Sequence, residues 1–98
     1  MICHVVLIRL RGDLDRDREE RFLEQARETL GPIPGVVNLR VGRGIRAGDA
    51  HPFALVMDFA DEAALEAYQV HPEHRRFLSD VIGPIVEDKQ VLDYRVSR

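Results

Sequence analysis

Alternation of apolar and polar positions predicts four short β-strands in this chain. The first is so dense in apolar and β-branched side chains that both of its faces are apolar. Because successive side chains of a strand point to opposite faces, His4 shares the face of Ile2 and Val6, whereas Val5 points the other way. The third strand is also apolar on nearly both faces. The predicted strands are residues 2–9, 37–41, 53–59 and 89–96.

Helical periodicity fills the gaps between the strands. An apolar stripe over residues 22–30 follows three candidate N-caps, Asp13, Asp15 and Asp17, and Asp17 with Glu20 has the spacing of a capping box. Gly31 and Pro32 end this helix. After the third strand, Asp61 caps a short helix that ends before Pro72, because proline cannot donate the helical hydrogen bond. Pro72 is itself suited to the first position of a further helix that ends at residue 82.

The resulting order, strand, helix, strand, strand, helix pair, strand, predicts an α+β ferredoxin-like sandwich with one antiparallel four-stranded sheet. Residues 1–98 form a single domain in this interpretation, since the chain is too short for two. The helices can cover only one face of a sheet whose central strands are apolar on both. We therefore expect a homodimer that packs sheet against sheet.

Composition narrows the function classes. The formal charge is −3, and the 14 basic residues form no stripe, so nucleic-acid binding is not expected. The apolar run at the N-terminus ends at Arg9, too early for a membrane span or a signal peptide, and no membrane partner is expected. Cys3 is the only cysteine, which suits a reducing, cytoplasmic location.

One motif, "LEAYQVHPEH" over residues 65–74, is quite specific. Together with the early His4, Phe77 and the terminal "VLDY", it resembles the stress-responsive A/B barrel domain family over nearly the whole chain. The resemblance implies a dimeric α+β barrel without a cofactor. That family includes a plant polyketide cyclase that closes a ring by aldol condensation.

The cyclase's catalytic tyrosine and histidine fall on Tyr68 and His74, and its first-strand histidine falls on His4. Two other polar positions of the cyclase site differ, since a histidine is replaced by Phe53 and a tyrosine by Gln25. The resemblance thus implies catalytic roles for Tyr68, His74 and His4 while leaving the cyclase reaction itself open.

His74 has two interpretations. In the functional one it is a general base, Tyr68 stabilises negative charge on a carbonyl oxygen, and His4 assists. In the structural one it is a buried histidine at a helix start that satisfies a backbone group. Asp93, a polar residue in an apolar segment, could brace a histidine or an arginine, or face solvent.

The remaining candidates are assigned by position. His71 lies near a helix N-cap, where it is exposed or capping; with Phe53 and Phe77 it is assigned to substrate binding. His71 and His74 make an incomplete metal pair, because zinc needs at least three protein ligands, and no metal is expected.

Two functions follow. One is a cofactor-independent enzyme acting on a small carbonyl metabolite, polyketide-like or aromatic. The other is a non-catalytic dimeric module that binds a small apolar ligand or serves a stress response.

Overall fold

The computed structural model describes residues 1–97 as one antiparallel sheet with helices on one face. Its strands run in the order β2-β3-β1-β4, so that β1 pairs with β3 on one side and with β4 on the other. The predicted fold class is confirmed. In chain order the elements are β1 (Ile2–Leu10), α1 (Arg16–Leu30), β2 (Val37–Arg43), β3 (Phe53–Phe59), α2 (Glu62–Gln69), α3 (Pro72–Arg76), a π-helical segment (Phe77–Ile82) and β4 (Val86–Arg95).

Burial along β1 follows the predicted alternation. Residues 2, 4, 6, 8 and 10 are buried, and the residues between them are half-buried. The buried face packs under the helices; for example, Phe53 of β3 makes an edge-to-face contact with Phe22 of α1 at 6.1 Å between ring centroids. His4 is the single buried polar residue in that face among residues 1–97. The sheet therefore carries an imidazole into the apolar layer between strands and helices.

Helix α1 begins two residues earlier than the capping-box spacing indicates. Asp15, not Asp17, is the N-cap, and its side chain accepts a hydrogen bond from the Arg18 N–H at 2.8 Å. Asp15 was one of the three candidate caps, and the capping-box spacing of Asp17 with Glu20 does not mark the start of the helix. With the helix starting at Arg16, Phe22, Leu23, Ala26 and Leu30 form its buried stripe.

The predicted helix pair is confirmed, and its second member has an unexpected end. Asp61 caps α2 through the Ala64 N–H, and His71 caps α3, whose first residue is Pro72. After Arg76 the chain widens into the π-helical segment, which ends with a hydrogen bond from the Gly83 N–H to the Leu78 carbonyl at 2.8 Å. A side chain at position 83 would crowd two carbonyl oxygens at 3.1 Å, so glycine permits this close approach.

The long connection between β2 and β3 is tied to the sheet by two contacts. Arg9 of β1 donates hydrogen bonds to the carbonyl oxygens of Asp49 and Ala50. Nε2 of His51, in the loop, lies 2.7 Å from a carboxylate oxygen of Asp88 in β4. These contacts join the loop to the inner strand β1 and the edge strand β4 without involving the helical face.

Candidate functional site

A small cavity lies between β1, β4 and the helices. Its volume is about 90 Å³. Four of the six predicted site residues line it: His4, Tyr68, His74 and Phe77. The aliphatic part of its wall consists of Val6, Leu30, Leu55, Leu78, Ile82 and Val91. The cavity is therefore an apolar chamber with a few polar side chains converging on it, the usual character of a small-molecule site.

Tyr68 is placed by the last turn of α2 and is only 2% exposed. Its ring centroid lies 4.4 Å from that of His74 and 5.9 Å from that of His4, so the three rings form one cluster. Among residues 1–97 its hydroxyl makes no hydrogen bond, yet no fully buried side-chain oxygen there lacks a partner. The hydroxyl thus reaches the open volume. Burial raises the pKa of Tyr68, which keeps the hydroxyl protonated as a donor.

His74 is half-buried in the first turn of α3. Its Nδ1 lies 3.0 Å from the backbone carbonyl oxygen of Gln69, which can only accept, so Nδ1 carries the proton. In the neutral ring the other nitrogen, Nε2, is then an acceptor. Burial lowers the pKa of His74; the Gln69 hydrogen bond opposes this shift, and the nearby His4, Lys89 and Arg75 side chains add to it electrostatically. The imidazole is therefore neutral at pH 7.

His4 is fixed from the sheet side. Its cross-strand partner in β4 is Asp93, and one carboxylate oxygen lies 2.5 Å from the His4 Nδ1. Of the alternatives that the sequence left open for Asp93, the structure shows the contact with a histidine. Because the carboxylate accepts a hydrogen bond from Nδ1, Nε2 is the ring nitrogen of His4 that remains for other partners. His4 itself is 3% exposed, whereas the Asp93 side chain is 37% exposed.

The sequence matches the stress-responsive A/B barrel domain over residues 2–96. The chain belongs to this family. A Mesorhizobium loti protein of the same family, with a ferredoxin-like fold, is 34% identical; the match covers 99% of this chain and 97% of that one, with a TM-score of 0.89. A dimeric ferredoxin-like protein of unknown function from Thermobifida fusca is 30% identical, with coverage of 97% and 90% and a TM-score of 0.83.

A third structure carries a named activity. The hydroxynitrile lyase of Passiflora edulis is 17% identical, covers 98% of this chain and 93% of its own, and has a TM-score of 0.85. At that identity the likeness shows the fold alone. No curated protein matches the sequence.

Two predicted residues of this A/B barrel protein lie away from the cavity. Phe53 packs between Phe22 and the guanidinium of Arg43, which lies 5.0 Å from its ring centroid. The Nδ1 of His71 accepts a hydrogen bond from the Glu73 N–H at 3.1 Å, which is the capping role that its position suggested. Neither residue contributes to the cavity wall, so the structure gives no support to their assignment to substrate binding.

Sequence reasoning missed two polar residues of the wall, Gln69 and Lys89. A signal for Lys89 was present, since it is four residues from Asp93 in a strand and so shares its face. Gln25 lies outside the cavity, in a separate groove between α1 and the π-helical segment.

No group of three or more His, Cys, Asp or Glu side chains within residues 1–97 is arranged to hold a metal ion. None of the helices in that range is long and apolar enough to cross a bilayer.

Proposed function

We propose that this A/B barrel protein is a homodimeric, cofactor-independent enzyme that removes a proton from the carbon beside a carbonyl group in a small metabolite. The observation that carries the proposal is the 4.4 Å separation of the Tyr68 and His74 rings on one cavity. One residue presents a donor and the other an acceptor, the two functions that enolate formation requires.

His74 acts as the base in this reaction. Its Nε2 takes the proton as the C–H bond breaks, and the electron pair moves onto the carbonyl oxygen. The lowered pKa of His74 keeps this nitrogen unprotonated at neutral pH, so the base is available. The hydrogen bond from Nδ1 to the Gln69 carbonyl fixes which nitrogen faces the substrate and stabilises the imidazolium that forms.

Tyr68 stabilises the oxygen on which charge develops. Its raised pKa means that the hydroxyl donates a hydrogen bond rather than carrying a competing negative charge. His4, held by Asp93, offers Nε2 as a hydrogen-bonding partner for a hydroxyl group of the ligand or its enol. The preorganised donor and acceptors cost little reorganisation during the reaction.

The volume limits the size of the ligand. A cavity of about 90 Å³ is well below the roughly 300–1,000 Å³ of sites for drug-sized ligands. At roughly 30 Å³ per water molecule in the liquid, it holds the equivalent of about three waters. A short-chain carbonyl compound fits this space better than an extended polyketide.

The homodimer is supported by the sheet's helix-free face and by the relatives. That face presents half-buried Val5, Leu7, Val56 and Leu92. The Thermobifida fusca protein is described as dimeric. Cys3 is a free thiol, and we propose a reducing cytoplasm as the location.

Two observations favour a second function, that of a non-catalytic module that binds a small ligand. The cavity is small, and His74 satisfies a backbone carbonyl as the structural interpretation expects. A non-catalytic module that binds a small ligand in the dimer would need only these features.

Deuterium incorporation separates the two functions. The methyl protons of pyruvate lie beside a carbonyl, and their replacement by deuterium in D₂O is followed by ¹H NMR. The wild-type dimer is expected to accelerate the exchange, and His74→Ala to reduce that acceleration by about 100-fold or more, the usual contribution of a general base. His51→Ala removes an imidazole outside the cavity and serves as the control.

Full exchange activity in a folded His74→Ala dimer would refute the assignment of the base. If the wild-type protein accelerates no exchange in pyruvate or in other short ketones, the binding module is the better description.

A further inference from the structure

The basic residues of the chain are distributed unevenly between arginine and lysine. Of the 14 Lys and Arg residues, Lys89 is the only lysine. It is also the only one of these basic residues that lines the cavity. Its cross-strand partner in β1 is the fully buried Ile8, so Lys89 lies on the helical face of the sheet. Because Lys89 is exposed and also lines the cavity, it lies at the mouth of the cavity.

Lys89 has no counter-charge among the residues that the structure describes. Within residues 1–97, no carboxylate oxygen lies within 4.0 Å of its ammonium. The carboxylate of Asp93 on the same face is bound to His4, and four strand residues separate the two by roughly 13 Å. Asp88, the next residue back, points to the opposite face and pairs with His51. The cation at the mouth is therefore available to a ligand.

The rest of the cavity wall also lacks negatively charged side chains. It contains His4, His74, Tyr68 and Gln69 but no Asp or Glu, although the chain as a whole has a formal charge of −3 with 17 acidic residues. The positive charge of Lys89 acts within this space, since it contributes to the lowered pKa of His74. A carboxylate would meet attraction at the mouth and no like charge inside.

We propose that the ligand of this cavity is a small oxo acid, whose carboxylate pairs with Lys89 at the mouth while its carbonyl lies among Tyr68, His74 and His4. This inference rests on the proposed function for the role of the carbonyl and extends it by naming the substrate class. The flexible stem of lysine lets the ammonium follow the carboxylate, and its three donors need no fixed fork geometry. Lys89 is a specificity-determining residue in this arrangement.

The pairing is tested with two probes of equal size and different charge. Pyruvate carries a carboxylate, and pyruvamide replaces it with a neutral amide. Titration calorimetry of the wild-type dimer is expected to show about tenfold tighter binding of pyruvate, the effect of one charge-assisted hydrogen bond. Lys89→Gln should abolish this preference without weakening pyruvamide binding, and Lys89→Arg should restore most of it.

Arg95→Gln is the matched control, because it removes one positive charge from the same strand outside the cavity wall. It should keep the preference for pyruvate. The proposal is overturned if Lys89→Gln keeps the preference, if Arg95→Gln loses it equally, or if the wild-type protein binds neither probe or binds both equally. Circular dichroism confirms that each variant is folded.

The binding experiment and the deuterium-exchange experiment can fail independently of each other. Lys89-dependent pyruvate binding without deuterium exchange would support the oxo-acid site and refute the enzyme. Exchange without a preference for the carboxylate would support the enzyme and refute the role of Lys89.

Discussion

Both histidines of the cavity use Nδ1 to bind a fixed acceptor, one from each side of the chamber. His4 binds the carboxylate of Asp93 in the sheet, and His74 binds the carbonyl of Gln69 at the end of α2. Each ring therefore presents its Nε2 to the same space as the Tyr68 hydroxyl. Buried polar groups with only one satisfied end are costly in an ordinary core. Here the unsatisfied ends meet in a cavity, which is the arrangement expected of a binding site.

The pH dependence of the proposed reaction follows from His74. A base must be unprotonated to act, and the pKa of His74 is lowered from its ordinary value of 6.5. We therefore expect the exchange rate to be constant from neutral pH to below 6.5 and to fall only as the pH drops through the lowered pKa. Lys89→Gln removes one of the positive charges that lower it, so the acid limb should move to higher pH. A wild-type profile that falls above pH 6.5 would contradict this assignment.

Sequence reasoning named the three rings as candidates for one site, but it left open whether they converge on a cavity and how they are held. His4 was placed by strand alternation, and Tyr68 and His74 by the family motif. Which nitrogen is bound depends on where the Gln69 carbonyl and the Asp93 carboxylate arrive in space, and a pattern of residue types does not contain that information. The volume of the cavity is also a product of packing by many aliphatic side chains from distant parts of the chain.

The start of α1 shows where local sequence signals become ambiguous. Three aspartates at two-residue spacing can each cap a helix, and the choice depends on docking the stripe of Phe22 and Ala26 onto the sheet. The π-helical segment shows the same dependence. Phe77, Leu78, Val81 and Ile82 fit an α-helical period, whereas the hydrogen bond from Gly83 to Leu78 spans five residues. The widened turn lets both Phe77 and Ile82 be buried.

A comparison of two aspartates tests the position of the cap. Asp15→Ala removes the side-chain acceptor of the Arg18 N–H and should lower the free energy of unfolding by about 1 kcal/mol. Asp17→Ala leaves that hydrogen bond in place, and we expect a smaller loss from the helix dipole alone, about 0.3–1 kcal/mol at low salt. Urea unfolding at one protein concentration and in moderate salt measures both. If Asp17→Ala lowers the free energy of unfolding as much as Asp15→Ala or more, Asp17 is the capping residue instead.

At the scale of the whole molecule, the sheet has two unlike faces. The helical face is covered and holds the cavity, whereas the opposite face has no helix. Val5 lies at its centre, directly opposite Val56 in β3 and Leu92 in β4. The apolar patch is flanked by the ion pair of Arg40 with Asp58 and by the contact of His51 with the Asp88 carboxylate. A contiguous apolar centre with a charged rim is the composition of a protein interface rather than of a free surface.

A single charge at the centre of this patch should disrupt a sheet-to-sheet dimer. Val5→Lys places an unpaired ammonium where two copies would meet, and a buried charge without a partner costs several kcal/mol. Val70→Lys makes the same change at an apolar residue that is 59% exposed and lies at the end of α2, away from the sheet. Sedimentation velocity should show a dimer for the wild-type protein and Val70→Lys, and a monomer for Val5→Lys. If Val5→Lys stays dimeric at micromolar concentration, the two copies associate through another surface, and the helix-free face needs a different partner.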